Sequence, residues 1–248
     1  MTHEFEVREE IELDATPEQV WDAIATGPGI DSWFMGNTEI EPKLGGRTQQ
    51  RMGPQTGEAT VTAWEPGKHF SYRTDAAPDG QFMAFEYLIE GRAGGSTVLR
   101  FVHSGLLDDD WEEQYDALKV GDRMYLEKLA AYLKHFPGRT SHYNLFQIGT
   151  PNPDSDAVWS AFSAVAGLGA SVKAGDSARI TLPGVSPTDG VVAFVRDRKY
   201  VGVRTDDGLF VFMHGWMHGV VAEYHSYLGA TDEKETAQAV QDWLSSLA

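Results

Sequence analysis

Thr56 to Asp75, TGEATVTAWEPGKHFSYRTD, lies without a gap against Pro187 to Asp206, PTDGVVAFVRDRKYVGVRTD, and both stretches end in Arg-Thr-Asp. Each has two segments rich in β-branched and aromatic residues around a polar turn, Glu65-Pro66-Gly67-Lys68 in the first copy, so each predicts a β-hairpin. Upstream, Val20-Trp21-Asp22-Ala23-Ile24-Ala25 returns as Val158-Trp159-Ser160-Ala161-Phe162-Ser163. Downstream, Val98-Leu99 before His103-Ser104 is echoed by Val220-Val221 before His225-Ser226. Three matched blocks in one order imply a diverged duplication. Two tandem domains of one fold are expected, 1–138 and 139–248, joined through Phe136-Pro137-Gly138-Arg139.

A length of 248 residues suits two domains, each able to bury its own core. No apolar run approaches the ~20 residues that span a bilayer, and the opening MTHEFEVREE is acidic, unlike a signal peptide. A cytoplasmic protein is the simplest expectation. With no cysteine, disulfides, zinc-thiolate sites and thiol nucleophiles are excluded. The net charge of −17 argues against nucleic acid and anionic membranes as partners. Residues 1–139 carry 25 acidic and 13 basic side chains, a net of −12, which suits solubility or a basic partner protein.

Along the first copy, Glu6 to Leu13 alternates charged and apolar residues as a half-wet strand does. Thr16-Pro17-Glu18-Gln19 has the residues of a capping box with proline at the first helical position. Gly27, Pro28 and Gly29 are expected to stop that helix, and Ile30 to Phe34 to form a second short one. Strands follow around Arg47–Met52, Ala59–Trp64, His69–Arg73, Gln81–Glu90 and Thr97–His103, with Gly53-Pro54 and Gly57 as turn signals. Connections this short make the strands antiparallel. Trp111, Tyr115, Leu118, Tyr125, Leu129 and Leu133 recur at helical spacing, and Gly121 is a place for a kink. The second copy repeats the plan, with Asp154 capping a helix and Asp232 to Leu247 closing it. The expected class is α+β: two helix-grip domains, each a curved antiparallel sheet around a long C-terminal helix.

These residues carry a family likeness. The order Thr16-Pro17-Glu18-Gln19-Val20-Trp21-Asp22-Ala23-Ile24, Trp33-Phe34, Gly45-Gly46-Arg47, Glu65-Pro66, Phe85-Glu86-Tyr87, Thr97 to Leu106 and Leu126 to Leu133 resembles the START-like (SRPBCC, Bet v-like) superfamily. Within it, the stretch from about 5 to 136 is similar to the activators of the heat-shock-protein-90 ATPase and their bacterial homologues. The resemblance implies the helix-grip fold and a mixed set of roles: chaperone co-factors, small-ligand binders and relatives that cyclise polyketides. Asp122 follows Gly121 where family members often have tryptophan, and the second copy lacks the Trp-Phe pair and the Gly-Gly-Arg.

A helix-grip fold implies an apolar space between sheet and long helix. The candidate lining is Trp33, Phe34, Tyr72, Phe85, Tyr87, Phe101, His103, Trp111, Tyr115 and Tyr125, with Phe70 and Leu99 on the same faces. Large rings with a few hydroxyl and imidazole tips suit a flat or lipid-like ligand, and they equally suit a filled core. His103 falls in phase with Leu99 and Phe101 and should point inward. No carboxylate shares its strand face, so a hydrogen bond to Ser104 or a tyrosine is expected, with proton transfer as the alternative. Arg51 and Arg73 read as solvated strand-edge cations. His214-Gly215-Trp216-Met217-His218 has chelating spacing, with Glu223 and His225 as further candidates. Its glycine and strand-rich surroundings oppose a helix, so no metal and no cofactor are expected.

The resulting expectation is a non-enzymatic binder of a small apolar or aromatic molecule or of a partner protein, a chaperone among the candidates, with stress association implied by the resemblance alone. The alternative is a polyketide cyclase or isomerase type of enzyme using His103 as acid and base.

Overall fold

The computed structural model describes residues 2–52, 55–78, 80–196, 198–215, 218–229 and 232–248. The chain divides into two compact units, Met1–Thr140 and Ser141–Ala248. The first runs β1 (His3–Leu13), α1 (Pro17–Ala25), α2 (Gly27–Asp31), β2 (Asn37–Ile40), β3 (Arg47–Met52), β4 (Gln55–Glu65), β5 (His69–Thr74), β6 (Met83–Gly91), β7 (Thr97–Leu107) and α3 (Trp111–His135). Its antiparallel sheet has the order β1-β7-β6-β5-β4-β3-β2. The second runs β8 (Tyr143–Ile148), α4 (Ser155–Ala166), β9 (Ser177–Ile180), β10 (Thr188–Arg196), β11 (Tyr200–Arg204), β12 (Gly208–His214), β13 (Val220–Ser226) and α5 (Glu233–Ser245). Its sheet order is β8-β13-β12-β11-β10-β9. In both, the first strand pairs with the last and a helix closes the unit, so the chain is a tandem of helix-grip domains. No helix among the described residues is long and apolar enough to cross a membrane.

Local chemistry explains how each unit starts. Thr16 accepts from the Gln19 N–H at 3.3 Å while the Gln19 side chain accepts from the Thr16 N–H at 2.9 Å, the reciprocal box that begins α1. Trp21 then lies edge-on to Trp64 at 5.0 Å and to Phe70 at 6.2 Å, fixing α1 to the sheet. Asp154 caps α4 through the Asp156 and Ala157 N–H groups, and Phe162 and Trp243 bring α4 and α5 onto Phe212.

Two local expectations need correction. Gly27–Gly29 do not merely stop α1: they form the first turn of α2, which ends at Asp31, before Trp33 and Phe34. A Cβ on Gly29 would sit 1.9 Å from the Asp22 carbonyl oxygen, so glycine is what lets the two helices abut. Gly57 lies inside β4, paired with Gln50, and the hairpin closes between Met52 and Gln55. The Gly53-Pro54 turn falls outside the described residues. Helix α3 continues through Gly121.

The duplication is written into strand register. Under a constant offset of 131 residues, which places Thr56 on Pro187, the pairs Thr60↔Arg73, Val61↔Tyr72 and Ala63↔Ser71 become Val191↔Arg204, Val192↔Val203 and Phe194↔Gly202. Both hairpins carry their irregularity at the same step, Val61/Ala63 and Val192/Phe194. A bulge re-aims a strand and is kept as a feature. Its recurrence at one aligned position supports common descent more firmly than the sparse identities do.

Candidate functional site

Period-2 alternation sends one set of side chains from β1, β4, β5, β6 and β7 to the α3 side of the first sheet. Register assembles them into rows. Val7, His103, Phe85, Tyr72 and Val61 are successive cross-strand partners, and Glu9, Phe101, Tyr87, Phe70 and Trp64 form the next row. In the first row Phe85 stacks between its neighbours, 4.3 Å from the His103 ring and 5.0 Å from Tyr72, at 26° in both cases. Phe5 meets the His103 ring edge-on at 5.1 Å.

The polar partner of His103 comes from the helix. Its Nδ1 lies 3.0 and 3.1 Å from the two carboxylate oxygens of Asp122, in the middle of α3. The expected partner, Ser104 or a tyrosine hydroxyl, is thereby corrected: the strand face of His103 holds no carboxylate, and one reaches it from α3 instead. Both groups are out of bulk water, with side-chain exposures of 4% for His103 and 12% for Asp122. A carboxylate only accepts, so the partner assigns the proton to Nδ1. The Nε2 atom is buried and has no hydrogen-bond partner. In the neutral ring it presents a lone pair among apolar rings.

Two phenols stand beside this pair. Tyr72 and Tyr87 are hydrogen-bonded to each other, and both are held protonated. Burial is the main cause, pushing the Tyr72 phenol up to about 12 and the Tyr87 phenol well above the usual range. The Asp122 charge reaches both and adds to the effect. Around them, packing is uneven. Phe70, Leu99 and Met124 are completely buried, whereas Phe34, Tyr72, Phe85, Tyr125 and Gly121 keep accessible surface although they belong to the sheet–helix layer. A methyl group built on Gly121 would meet no atom within 4 Å.

The remaining sequence candidates fall into two neighbouring groups. Trp33 is buried and donates its indole N–H to the Ala23 carbonyl at 2.8 Å, while Phe34 lies 4.5 Å from Tyr125 on α3. Trp111 and Tyr115 pack with Phe5, Val7 and Leu107 at the far end of β1 and β7, and Trp111 stacks on His3 at 5.4 Å. Phe5 links that cluster to His103. Tyr87 and Phe101 face each other at 5.0 Å in the second row. Arg51 pairs with Glu39 at 3.0 Å, and the exposed Arg73 lies over Phe82 at 3.8 Å. His214 Nε2 is 2.8 Å from the Asn152 carbonyl oxygen, and Trp216 and Met217 of its motif lie outside the described residues. Among the described residues, no three histidine, aspartate or glutamate side chains form a metal-ion site.

Residues 14–134 match the Activator of Hsp90 ATPase homolog 1-like protein family. The matched stretch is the one in which the ordered START-like motifs lie. No curated protein gives a match. Among solved structures, protein MLL2253 from Mesorhizobium loti is similar at 26% identity and TM-score 0.48, over 53% of this chain and 98% of that one. The Aha1 dimer from Colwellia psychrerythraea is similar at 20% identity and TM-score 0.43, over 52% and 96%. The di-domain ARO/CYC BexL from the BE-7585A biosynthetic pathway aligns over 97% of this chain and 98% of its own, at 12% identity and TM-score 0.47.

The second unit shows what became of the same positions. Following register from the shared bulge, Tyr72, Phe85, Tyr87, Phe101 and His103 correspond to Val203, Phe210, Phe212, Ala222 and Tyr224. The echo between His103 and His225 is therefore one residue out of phase. His225 alternates with the core residues Val220 and Ala222 and faces away from α4 and α5. Val203, Phe210, Phe212 and Ala222 are all essentially inaccessible, so the corresponding space is filled with hydrocarbon.

Proposed function

We propose that the domain spanning 1–138 binds a small, flat, largely apolar molecule between the inner face of its sheet and α3, and that 139–248 is a degenerate copy that has lost this capacity. The observation that carries the reading is the buried, unpartnered Nε2 of His103 beside partly exposed inner-face rings, Phe85 and Tyr72. A buried polar atom without a partner costs about 1–3 kcal/mol. A ligand hydroxyl placed there recovers that cost, while Phe34, Tyr72, Phe85 and Tyr125 supply ring contact. In the second unit Val203, Phe210, Phe212 and Ala222, at the positions of Tyr72, Phe85, Tyr87 and Phe101, are hydrophobic and closed, which sets the contrast.

Titration with Nile red tests this. Fluorescence enhancement with the full chain should weaken several-fold in Phe85→Ala and hardly change in Phe210→Ala. Native mass spectrometry of the freshly purified protein identifies any molecule it carries. A chain that binds no apolar probe and carries nothing would overturn the proposal, and the rings would then be core. An association with chaperones in the stress response of a bacterial cytoplasm is the wider setting that the family match suggests.

A further inference from the structure

We infer that this site moves protons on its ligand, with His103 Nε2 as the base and Tyr72 as the hydrogen-bond donor to a carbonyl oxygen; the ligand class is a planar, enolisable carbonyl compound. The inference rests on the binding site proposed above and adds chemistry to it. Three observations converge. First, the Asp122 carboxylate fixes the Nδ1–H tautomer and leaves a lone pair on a nitrogen with nothing to accept from. A general base needs that arrangement: a proton-accepting atom in reach of the ligand and a second group that orients it. Second, burial keeps both phenols protonated at neutral pH, so the partly exposed Tyr72 hydroxyl can donate to a ligand oxygen. Third, base and donor flank one ring in the same cross-strand row, Phe85 being stacked with both. Across two strand spacings, roughly 9–10 Å of backbone separation, base and donor project from the same face of the sheet.

The step balances without another reactant. Nε2 takes the proton from the carbon next to the carbonyl. The C–H electron pair becomes the carbon–carbon double bond, and the carbonyl π pair moves to oxygen, where the Tyr72 hydroxyl holds it. The imidazolium, facing the Asp122 carboxylate, then returns a proton to the same carbon or to its conjugate position. The outcome is exchange or isomerisation. Among the described residues, the other charged groups on this side include Glu9 of β1 and Arg123, Glu127 and the buried Lys128 of α3; Arg123 lies 3.3 Å from Glu9 and 3.0 Å from Glu127, and the Lys128 ammonium lies 5.4 Å from the centre of the Tyr125 ring. Ser104 lies on the opposite face of β7, away from the base.

The test uses 2-tetralone as the probe with the full-length protein in neutral D2O, following loss of the α-proton signal by NMR and measuring affinity by displacement of Nile red. Exchange well above the buffer rate is expected. His103→Phe should abolish the enhancement while tetralone still binds within about tenfold. His103→Gln serves where the phenylalanine variant does not fold. Asp122 is a positioning residue: Asp122→Asn should lower the saturating exchange rate by about tenfold or more and leave KM nearly unchanged, a split that loss of structure would not give. Bound tetralone without accelerated exchange, or exchange that survives loss of His103, overturns the inference and leaves the binding reading intact. If neither Nile red nor tetralone binds, both fall.

Discussion

Replacing Asp122 by alanine takes away both oxygens that face His103 Nδ1 and leaves a donor stranded in a site where the ring is only 3% exposed. A hydrogen bond to a charged group contributes about 1.5–3 kcal/mol when one partner is deleted. The same substitution puts a better helix former into the middle of α3, which returns at most about 0.7 kcal/mol. The net expectation is a loss of ~1–2.5 kcal/mol. Asp122→Asn keeps an acceptor oxygen of nearly the same shape, so its loss should stay below about 1 kcal/mol. Urea unfolding of the full chain, read by circular dichroism and tryptophan fluorescence, measures both. Two compact units allow two transitions, and only one of them should move, because the second unit has no counterpart of the pair. Nitrogen-15 chemical shifts of the His103 ring supply the structural check, with a protonated Nδ1 and an unprotonated Nε2 in the wild type. An alanine variant as stable as the wild type, or an Nε2–H tautomer, would refute the reasoning.

Gly121→Ala should stabilise the protein by about 0.5–1 kcal/mol in the same urea assay, since a helix-interior glycine is being replaced where a methyl meets no atom within 4 Å. If ligand occupies that open space, the variant should also weaken Nile red binding. Gly29→Ala should cost at least about 1–3 kcal/mol, because its Cβ would fall 1.9 Å from the Asp22 carbonyl oxygen and α1 or α2 must shift. The buried phenols predict an alkaline limit. The folded Tyr72 pKa lies near 12 against an ordinary 10.0, so only the unfolded chain ionises between them, and stability that is constant below that window should fall as pH rises through it. Tyr72→Phe should flatten that fall in a stability-against-pH series.

What the sequence disclosed and what it withheld follow the range of the interactions involved. The capping box at Thr16–Gln19 and the hairpins repeating at 131 residues depend on neighbours within a few positions, and those patterns are readable one residue after another. Strand phase likewise made the inward direction of His103 legible from Leu99 and Phe101. The pairing of His103 with Asp122 depends on a helix lying against a sheet, and no spacing in the chain encodes the height at which α3 crosses β7. The one available signal was local: an aspartate directly after Gly121 in the long helix, at a position where similar proteins often carry tryptophan. A carboxylate there is costly unless something inside receives it, and the inward histidine is the available receiver. The same logic explains the out-of-phase echo at His225. Sequence alignment matched like residues, whereas register matched like positions, and at the position of His103 the second unit holds Tyr224 stacked on Phe210 at 4.1 Å. With Val203 and Phe212 in place of the two phenols and Tyr224 in place of the histidine, that unit keeps the architecture of the first without the histidine that pairs with Asp122. The duplication thus separates the part of the sequence that builds the grip from the few side chains that make it a site.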